Sequence, residues 1–447
     1  MADLEKLTAK MLEAAKRAGA EAADAIVIKG ESLSIEVANG ALEHAERAEG
    51  IDLGLRVMIG QRSAVVSVSD ASDATIAVMA ERGVAMAKAA PEDPYIGLAE
   101  PEQLATDWDV GALELVDPAE PATPEALKAM ALEAEAAALA VSGISKVDSA
   151  GGSYSSSSIH LATSNGFSGG YGRTSTGLYC TAISGEGLEM ERDYKGDSRA
   201  FAADMMGADE IGRIAGERAV ALKGASQPPT GAFPVLFDER VSSTLIGHLM
   251  AAINGRAVAR GASWLKDAMG ERVLPEGMDL VEDPFRKRVG GSKPFDGEGL
   301  ATQRRAWVKN GVLMSWVLDL ATGRQLGMES TGNAARGASS APSPSVGNLT
   351  LTAGVQSRDD LIKAMGTGLI VTSMIGSSVN PNTGEYSRGA SGFWVENGEI
   401  IRPVNECTVA GNLREMLGGM IAANDGQAHL SRVVPSLLVE GLTIAGS

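Results

Sequence analysis

Asn-Gly pairs at 39–40, 165–166, 310–311 and 397–398 stand between alternating or apolar runs. No other feature restricts the fold of this chain as much. Asn and Gly tolerate the positive φ that a two-residue hairpin turn requires, and such a turn joins only antiparallel neighbours. Helical patterns lie apart from these hairpins, which reads as α+β. The expected layout is N-terminal helix/antiparallel-sheet units in a repeat-like arrangement, followed by a mixed, strand-rich C-terminal domain.

The first unit, 1–118, opens with Leu4, Leu7, Met11, Ala15 and Ala18 at helical spacing, and Gly19 stops the helix. Four strand-like runs follow: "AIVIKG", "SLSIEVANG", "IDLGLRVMI" and "SAVVSVS". A helix from about Ser72 to Ala90 closes the unit. The second unit, 119–226, repeats the order. Thr123-Pro124-Glu125 caps and starts a helix that reaches about Val141. Strands follow through "SYSSSSIHLATSNGFSGGYGRTSTGLYCTAISG", and a helix is expected from about Ala203 to Gly224. "SQPPTG", Ser226–Gly231, is the linker to the third unit, 227–447. There, "QRRAWVKNGVLMSWVLD" and "GFWVENGEIIRPV" read as hairpins, and Ser357 caps "RDDLIKAMG". "GLIVTSM" is a strand, "TVAGNLREMLGGMIAA" a helix, and "PSLLVEGLTIAG" a final strand.

Hydrophobic residues are 44% of the chain and aromatics only 4%, so a large core must be built from Ala, Val, Leu, Ile and Met. The formal net charge of −18 argues against non-specific nucleic-acid binding, which needs cations. Two distant cysteines, Cys180 and Cys407, fit buried thiols in a reducing compartment. The N-terminus lacks a basic start followed by an apolar run, and no stretch approaches the roughly 20 apolar residues that span a bilayer. A cytoplasmic protein without membrane or nucleic-acid partners is expected.

"FPVLFDERVSSTLIGHLM", Phe233–Met250, reads as a strand entering a helix, with acids where a zinc peptidase keeps a histidine and its catalytic glutamate. His248 stands ten residues after Asp238, about 15 Å along a helix. Zinc ligands each lie about 2 Å from the metal. Asp238 and His248 therefore cannot share an ion on one continuous helix. The plain alternative is an amphipathic helix with an acidic first turn that suits its dipole. His44, His160 and His429 have no second ligand nearby in sequence. "GFSGG" matches a nucleophile elbow at Ser168, but a strand-like run follows instead of a helix, so Ser168 belongs to a hairpin. "NPNTGEYSRGASGFWVENGEI" sets Asn380, Glu385 and Arg388 among small residues before Phe393 and Trp394. It could line a substrate chamber or a subunit contact, or simply lead into a hairpin.

The run "GLIVTSMIGSSVNPNTGEYSRGASGFWVENGEIIRPVNECTVAGNLREML" closely resembles the C-terminal signature of the TldD/PmbA family, in its PmbA branch, also called TldE. "STGNAARGASSAPSPSVGNLTL" and "PSLLVEGLTIAGS" are similar to the same family more loosely. The resemblance implies an HExxxH zinc motif and a later cysteine ligand in the TldD branch. Laid on this chain, the first histidine becomes Asp238, the glutamate is kept as Glu239, the second histidine becomes Ser243, and the cysteine falls at about Ala422. No metal and no cofactor are then expected here, and zinc only in a TldD-type partner subunit.

The resemblance further implies a heterodimeric peptidase for unfolded or extended peptides, or a homodimer when the chain is alone. Two other readings stay open. One is a stand-alone homodimeric peptidase using Asp238, Glu239 and a histidine brought in by the fold. The other is a regulatory binding protein acting on gyrase or a toxin–antitoxin pair.

Overall fold

The computed structural model describes residues 1–446; Ser447, the last residue of the third unit, lies outside the described residues. The chain begins α1 (Ala2–Ala18), β1 (Ala22–Ala38), β2 (Ala41–Ile59), β3 (Arg62–Val68), α2 (Asp73–Ala89). It then repeats that order as α3 (Pro124–Leu139), β4 (Ile144–Thr163), β5 (Ser168–Ser184), β6 (Glu191–Arg199), α4 (Ala208–Ala221). The expected ends form: Gly19 ends α1 at φ 101° and the Thr123 side chain accepts an N–H of α3; the Ser72 side chain caps α2 in the same way.

The two halves share one six-stranded sheet in the order β3-β2-β1-β4-β5-β6. Its middle is the antiparallel β1–β4 ladder, running from Asp24↔Thr163 to Val37↔Ala150. Each half thus contributes three strands and two helices about an approximate two-fold axis between β1 and β4. "AIVIKG" and "SLSIEVANG" prove to be one strand, because β2 and β4 hold β1 extended on both sides. The run 191–199, which carried no strand pattern, is the edge strand β6. The helix expected from Ala203 begins at Ala208, after a 3-10 turn at Ala202–Asp204.

Alternation along β1 separates the two faces of the sheet. Ala23, Ala25, Val27, Ile35 and Val37 pack under the four helices. Ile26 points the other way, into a cluster with Leu161, Phe167 and Phe295 of the third unit.

The third unit contains β7 (Gly231–Phe237), α5 (Glu239–Ala252), α6 (Gly255–Ala259), β8 (Leu280–Glu282), β9 (Arg305–Lys309), β10 (Val312–Leu313) and α7 (Leu320–Leu326). It continues with β11 (Ala334–Ala335), β12 (Ser343–Pro344), β13 (Leu349–Leu351), α8 (Arg358–Met365), β14 (Gly368–Val379), β15 (Glu385–Glu396) and β16 (Glu399–Asn412). The last elements are α9 (Leu413–Gly418), β17 (Ile421–Ala422), β18 (Arg432–Val433) and β19 (Leu437–Ala445). Strands β16-β15-β14-β7-β19 close on themselves, because β16 also pairs with β19 from Thr408↔Ala445 to Ala410↔Thr443.

That closure explains why "TVAGNLREMLGGMIAA" is not one helix. Its first residues are needed as barrel strand, the Asn412 side chain caps a six-residue α9, and Ile421–Ala422 returns to pair with β19. The hairpins at Asn310-Gly311 and Asn397-Gly398 form with both turn residues at positive φ, as does Asn39-Gly40. Among the described residues no helix is long and apolar enough to cross a membrane.

The third unit is pinned to the sheet by buried charge. Asp24 on β1 stands opposite Arg56 on β2 and accepts its Nε at 2.6 Å. The fully buried Arg336, from the segment after β11, donates to the other oxygen of the same carboxylate. The segment can reach Asp24 because Gly54, beside Arg56, has no side chain: a Cβ there would run into the Ala338 backbone. Glu298 is also buried here and accepts the Leu320 N–H at 2.9 Å.

Removing one member of a buried ion pair leaves its partner uncompensated, at a cost of about 3–5 kcal/mol. Asp24→Asn, which leaves two buried guanidiniums without their carboxylate, should lower the unfolding free energy from urea titration by that order, whereas Arg47→Met, exposed on β2, should leave it unchanged. Burial, and then the charge of Asp296, push the Glu298 carboxyl up to about 8. The folded state holds that proton more tightly than the unfolded chain. Its stabilisation is complete below the ordinary glutamate range and is lost as pH rises through about 8. Glu298→Gln should therefore shrink the loss of stability between about pH 5 and pH 8, followed by denaturation at stepped pH.

Candidate functional site

The acids of the Phe233–Met250 stretch lie where β7 leaves the barrel and α5 begins. Asp238 is the N-cap: its Oδ1 accepts the Arg240 N–H at 3.3 Å, and its Oδ2 accepts Arg358 Nε at 2.9 Å. The N–H of Glu239 donates to Ser436 Oγ at 3.0 Å, and that hydroxyl donates to Asp425 at 2.6 Å. Ser242 Oγ donates to the Val434 carbonyl at 3.2 Å. These bonds fasten the first turn of α5 to the segment that leads into β19.

The register across the barrel brings in the fourth position. Phe237 pairs with Leu437, and Leu437 pairs with Ala422. Two strand spacings, about 10 Å, separate Ala422 from the residue before Asp238. Asp238, Glu239 and Ala422 thus lie toward one end of the barrel, with Ser243 one helical turn beyond Glu239. They offer a carboxylate already held by a guanidinium, a second carboxylate, a hydroxyl and a methyl. Among the described residues, no three His, Cys, Asp or Glu side chains come together so as to hold a metal ion.

Glu239 opens into a cavity of about 490 Å³ between α5 and β6, lined by Tyr179, Tyr194, Lys195, Arg218 and His429 among others. Burial, and then the charge of Asp238, push the Glu239 carboxyl above the usual glutamate range, while Arg218 and Lys195 pull it back. Arg240 grips Asp193 of β6 through both terminal nitrogens, with its guanidinium 5.6 Å from the Tyr194 ring centre. A second cavity of about 530 Å³ shares Tyr194 and Arg240 with the first. A third, of about 360 Å³, shares Ser198, His429 and Leu430. The three join in a trough along β6, the edge strand of the six-stranded sheet.

The other sequence candidates lie apart from this trough. His248 faces Tyr386, with ring centres 5.8 Å apart, on the barrel side of α5. His160 is buried against Thr8 at 2.9 Å, and Ser168 opens β5 with its Oγ 3.5 Å from the other His160 nitrogen. Asn380 and Glu385 sit at the exposed tip of the β14–β15 hairpin, where Arg388 donates to the Gly376 carbonyl at 2.7 Å. Phe393 and Trp394 face opposite sides of β15. Trp394 is 2% exposed and meets Phe233 edge-on in the barrel core, and Phe393 packs in the cluster under α8.

Lys195, Arg218 and His429 were invisible as site residues, because they come from β6, α4 and the loop before β18 and share no spacing pattern. The only hint was the density of charge in "ERDYKGD".

Three family models match in sequence order: PmbA/TldA metallopeptidase domain 1 at 23–87, the central domain at 117–223 and the C-terminal domain at 230–446. The chain is 34% identical to the metalloprotease PmbA of Escherichia coli O157:H7, over 98% of this chain and 95% of that protein. It is 35% identical to the metalloprotease PmbA homolog of Haemophilus influenzae, over 100% and 96%. Among solved structures, a candidate modulator of DNA gyrase from Bacteroides thetaiotaomicron superposes with a TM-score of 0.91 at 25% identity, over the whole of both chains. TldE from Thermococcus kodakarensis has the same fold, with a TM-score of 0.83 at 19% identity over 98% of this chain and 100% of that one. The chain belongs to the PmbA/TldA metallopeptidase family, on its PmbA branch.

Proposed function

We propose that this chain is the non-metal-binding subunit of a TldD/TldE-type cytoplasmic peptidase. It would complete a chamber in which a zinc-bearing TldD-type subunit cuts unfolded or extended peptides. One observation carries the reading: the donor set at the head of α5 does not fit zinc. The Asp238 carboxylate is occupied by Arg358 and by its own helix, Ser243 supplies a hydroxyl, and Ala422 a methyl. Neither group replaces an imidazole or a thiolate as a zinc ligand. Glu239 is left without a metal-bound water to deprotonate.

The trough supports the peptide reading. β6 spans nine residues, roughly 30 Å when extended, and lies at a sheet edge where another strand can add. The tip of the β14–β15 hairpin, with Asn380, Glu385, Arg388 and the 77%-exposed Ile375, is the partner-facing surface in this reading, used by a second copy when the partner is absent.

The fold also places His429 in the cavity of Glu239, 3.9 Å from Asp197, which is the observation that favours a stand-alone enzyme. Metal analysis of the purified chain, with a peptide-cleavage assay run with and without a TldD-type subunit, separates the readings. The expected result is no stoichiometric zinc and cleavage only in the mixture. Tightly held zinc in the isolated chain overturns the proposal. Cleavage by the isolated chain that is lost in Glu239→Ala favours the stand-alone enzyme instead.

A further inference from the structure

Most cations around the trough already have an acid. Arg240 holds Asp193, Arg199 holds Asp197 at 2.9 Å, and Arg358 holds Asp238. Lys195 and Arg218 do not: among the described residues no carboxylate comes within 4 Å of either. Arg218 donates one terminal nitrogen to the Tyr194 carbonyl at 3.1 Å, which fixes it at the rim of β6. Both line the cavity of about 490 Å³ together with Glu239.

Burial and the neighbouring cations make the charged form of Lys195 less favourable than in water, so an incoming anion would relieve that strain. Glu239 acts on Lys195 as a counter-charge, and Asp193 on Arg218, while burial moves Glu239 toward its neutral form. The facing charged groups are Arg218 from α4, Asp193, Lys195 and Asp197 from β6, Asp238, Glu239 and Arg240 from the head of α5, and Asp425 and His429 from the loop segments. The cavity lining also includes two tyrosines, Tyr179, 38% exposed, and Tyr194, 59% exposed.

We propose that Lys195 and Arg218 form a carboxylate-recognition pocket in the trough, which anchors an extended peptide by its C-terminal carboxylate or by an acidic side chain. This deepens the peptide-handling reading and rests on it. The pocket lets a subunit without its own catalytic metal hold one end of the chain that its partner cuts. A carboxylate bonded to a guanidinium and an ammonium gains the larger increment of charge-assisted hydrogen bonds, and it does so on a protein whose overall charge of −18 repels acidic peptides elsewhere.

The test uses fluorescein-labelled unstructured peptides and the full chain, read by fluorescence anisotropy at fixed salt. Three peptides are compared: free C-terminus with internal Glu, C-terminal amide with internal Glu, and free C-terminus with Glu replaced by Gln. Losing the recognised carboxylate should weaken binding by at least about tenfold. A loss in the second peptide assigns the C-terminal carboxylate, and a loss in the third assigns the acidic side chain. Lys195→Met should reduce the discrimination to within about twofold. Because Arg218→Met could disturb β6, Arg218→Lys serves as the second variant and should retain it in part. Equal binding of all three peptides, absence of binding, or discrimination unchanged in Lys195→Met overturns the pocket. Partner-dependent cleavage, measured separately on the same variants, reports on the subunit reading. Cleavage that persists without carboxylate discrimination sinks the pocket alone.

Discussion

One carboxylate, that of Asp24, holds guanidinium groups from two parts of the chain, and the position of the third unit depends on it. Arg56 reaches Asp24 from the neighbouring strand, and Arg336 reaches it from the segment after β11. An isolated buried ion would be too costly to keep charged, so losing Asp24 would strand both guanidiniums at once. Other arginines extend the same attachment. Arg173 of β5 donates to the carbonyls of Gly290 and Ser292, Arg324 donates to those of Tyr95 and Leu98, and Arg240 binds Asp193. Arginine suits this work because its planar fork satisfies two acceptors at once. The sheet face and the head of α5 are thereby held at a fixed separation, and the gap that remains is the trough.

The barrel settles the geometry on the other side of that gap. Because β16 pairs with both β15 and β19, the barrel has no free edge, and β7 cannot slip in register without breaking pairings on two sides. The register in turn sets Phe237, Leu437 and Ala422 in one row. Positions 238 and 422, far apart in sequence, meet because of strand pairing and not because of any local motif.

Much of this architecture could be read from residue order. The Asn-Gly turns at 39–40, 310–311 and 397–398, the Ser72, Thr123 and Ser357 caps, and the doubled helix–strands–helix order all formed as the local rules require. What could not be read was long-range. Glu31 and Ser32 look like a break in a strand but stay extended because β2 and β4 flank them. Residues 408–412 have a helical pattern and become strand because the barrel has to close. β6 is too rich in charge to resemble a strand, and two of its acids, Asp193 and Asp197, meet Arg240 and His429 across the trough. The head of α5 was legible because cap, acid and helix are neighbours in sequence. The cations facing it were not, because three separate elements supply them.

The β1–β4 ladder also bears on how the chain is made. β1 is finished by residue 38, but its partner begins only at residue 144 and ends at 163. At a synthesis rate of about 5–20 residues per second, the first half emerges with an open inner edge for roughly 5–25 seconds before its companion exists. During that interval a long, aliphatic strand is available to any neighbouring nascent chain. The duplicated layout that builds the sheet therefore creates a window in which ribosome spacing and chaperone supply govern the yield of correctly assembled protein.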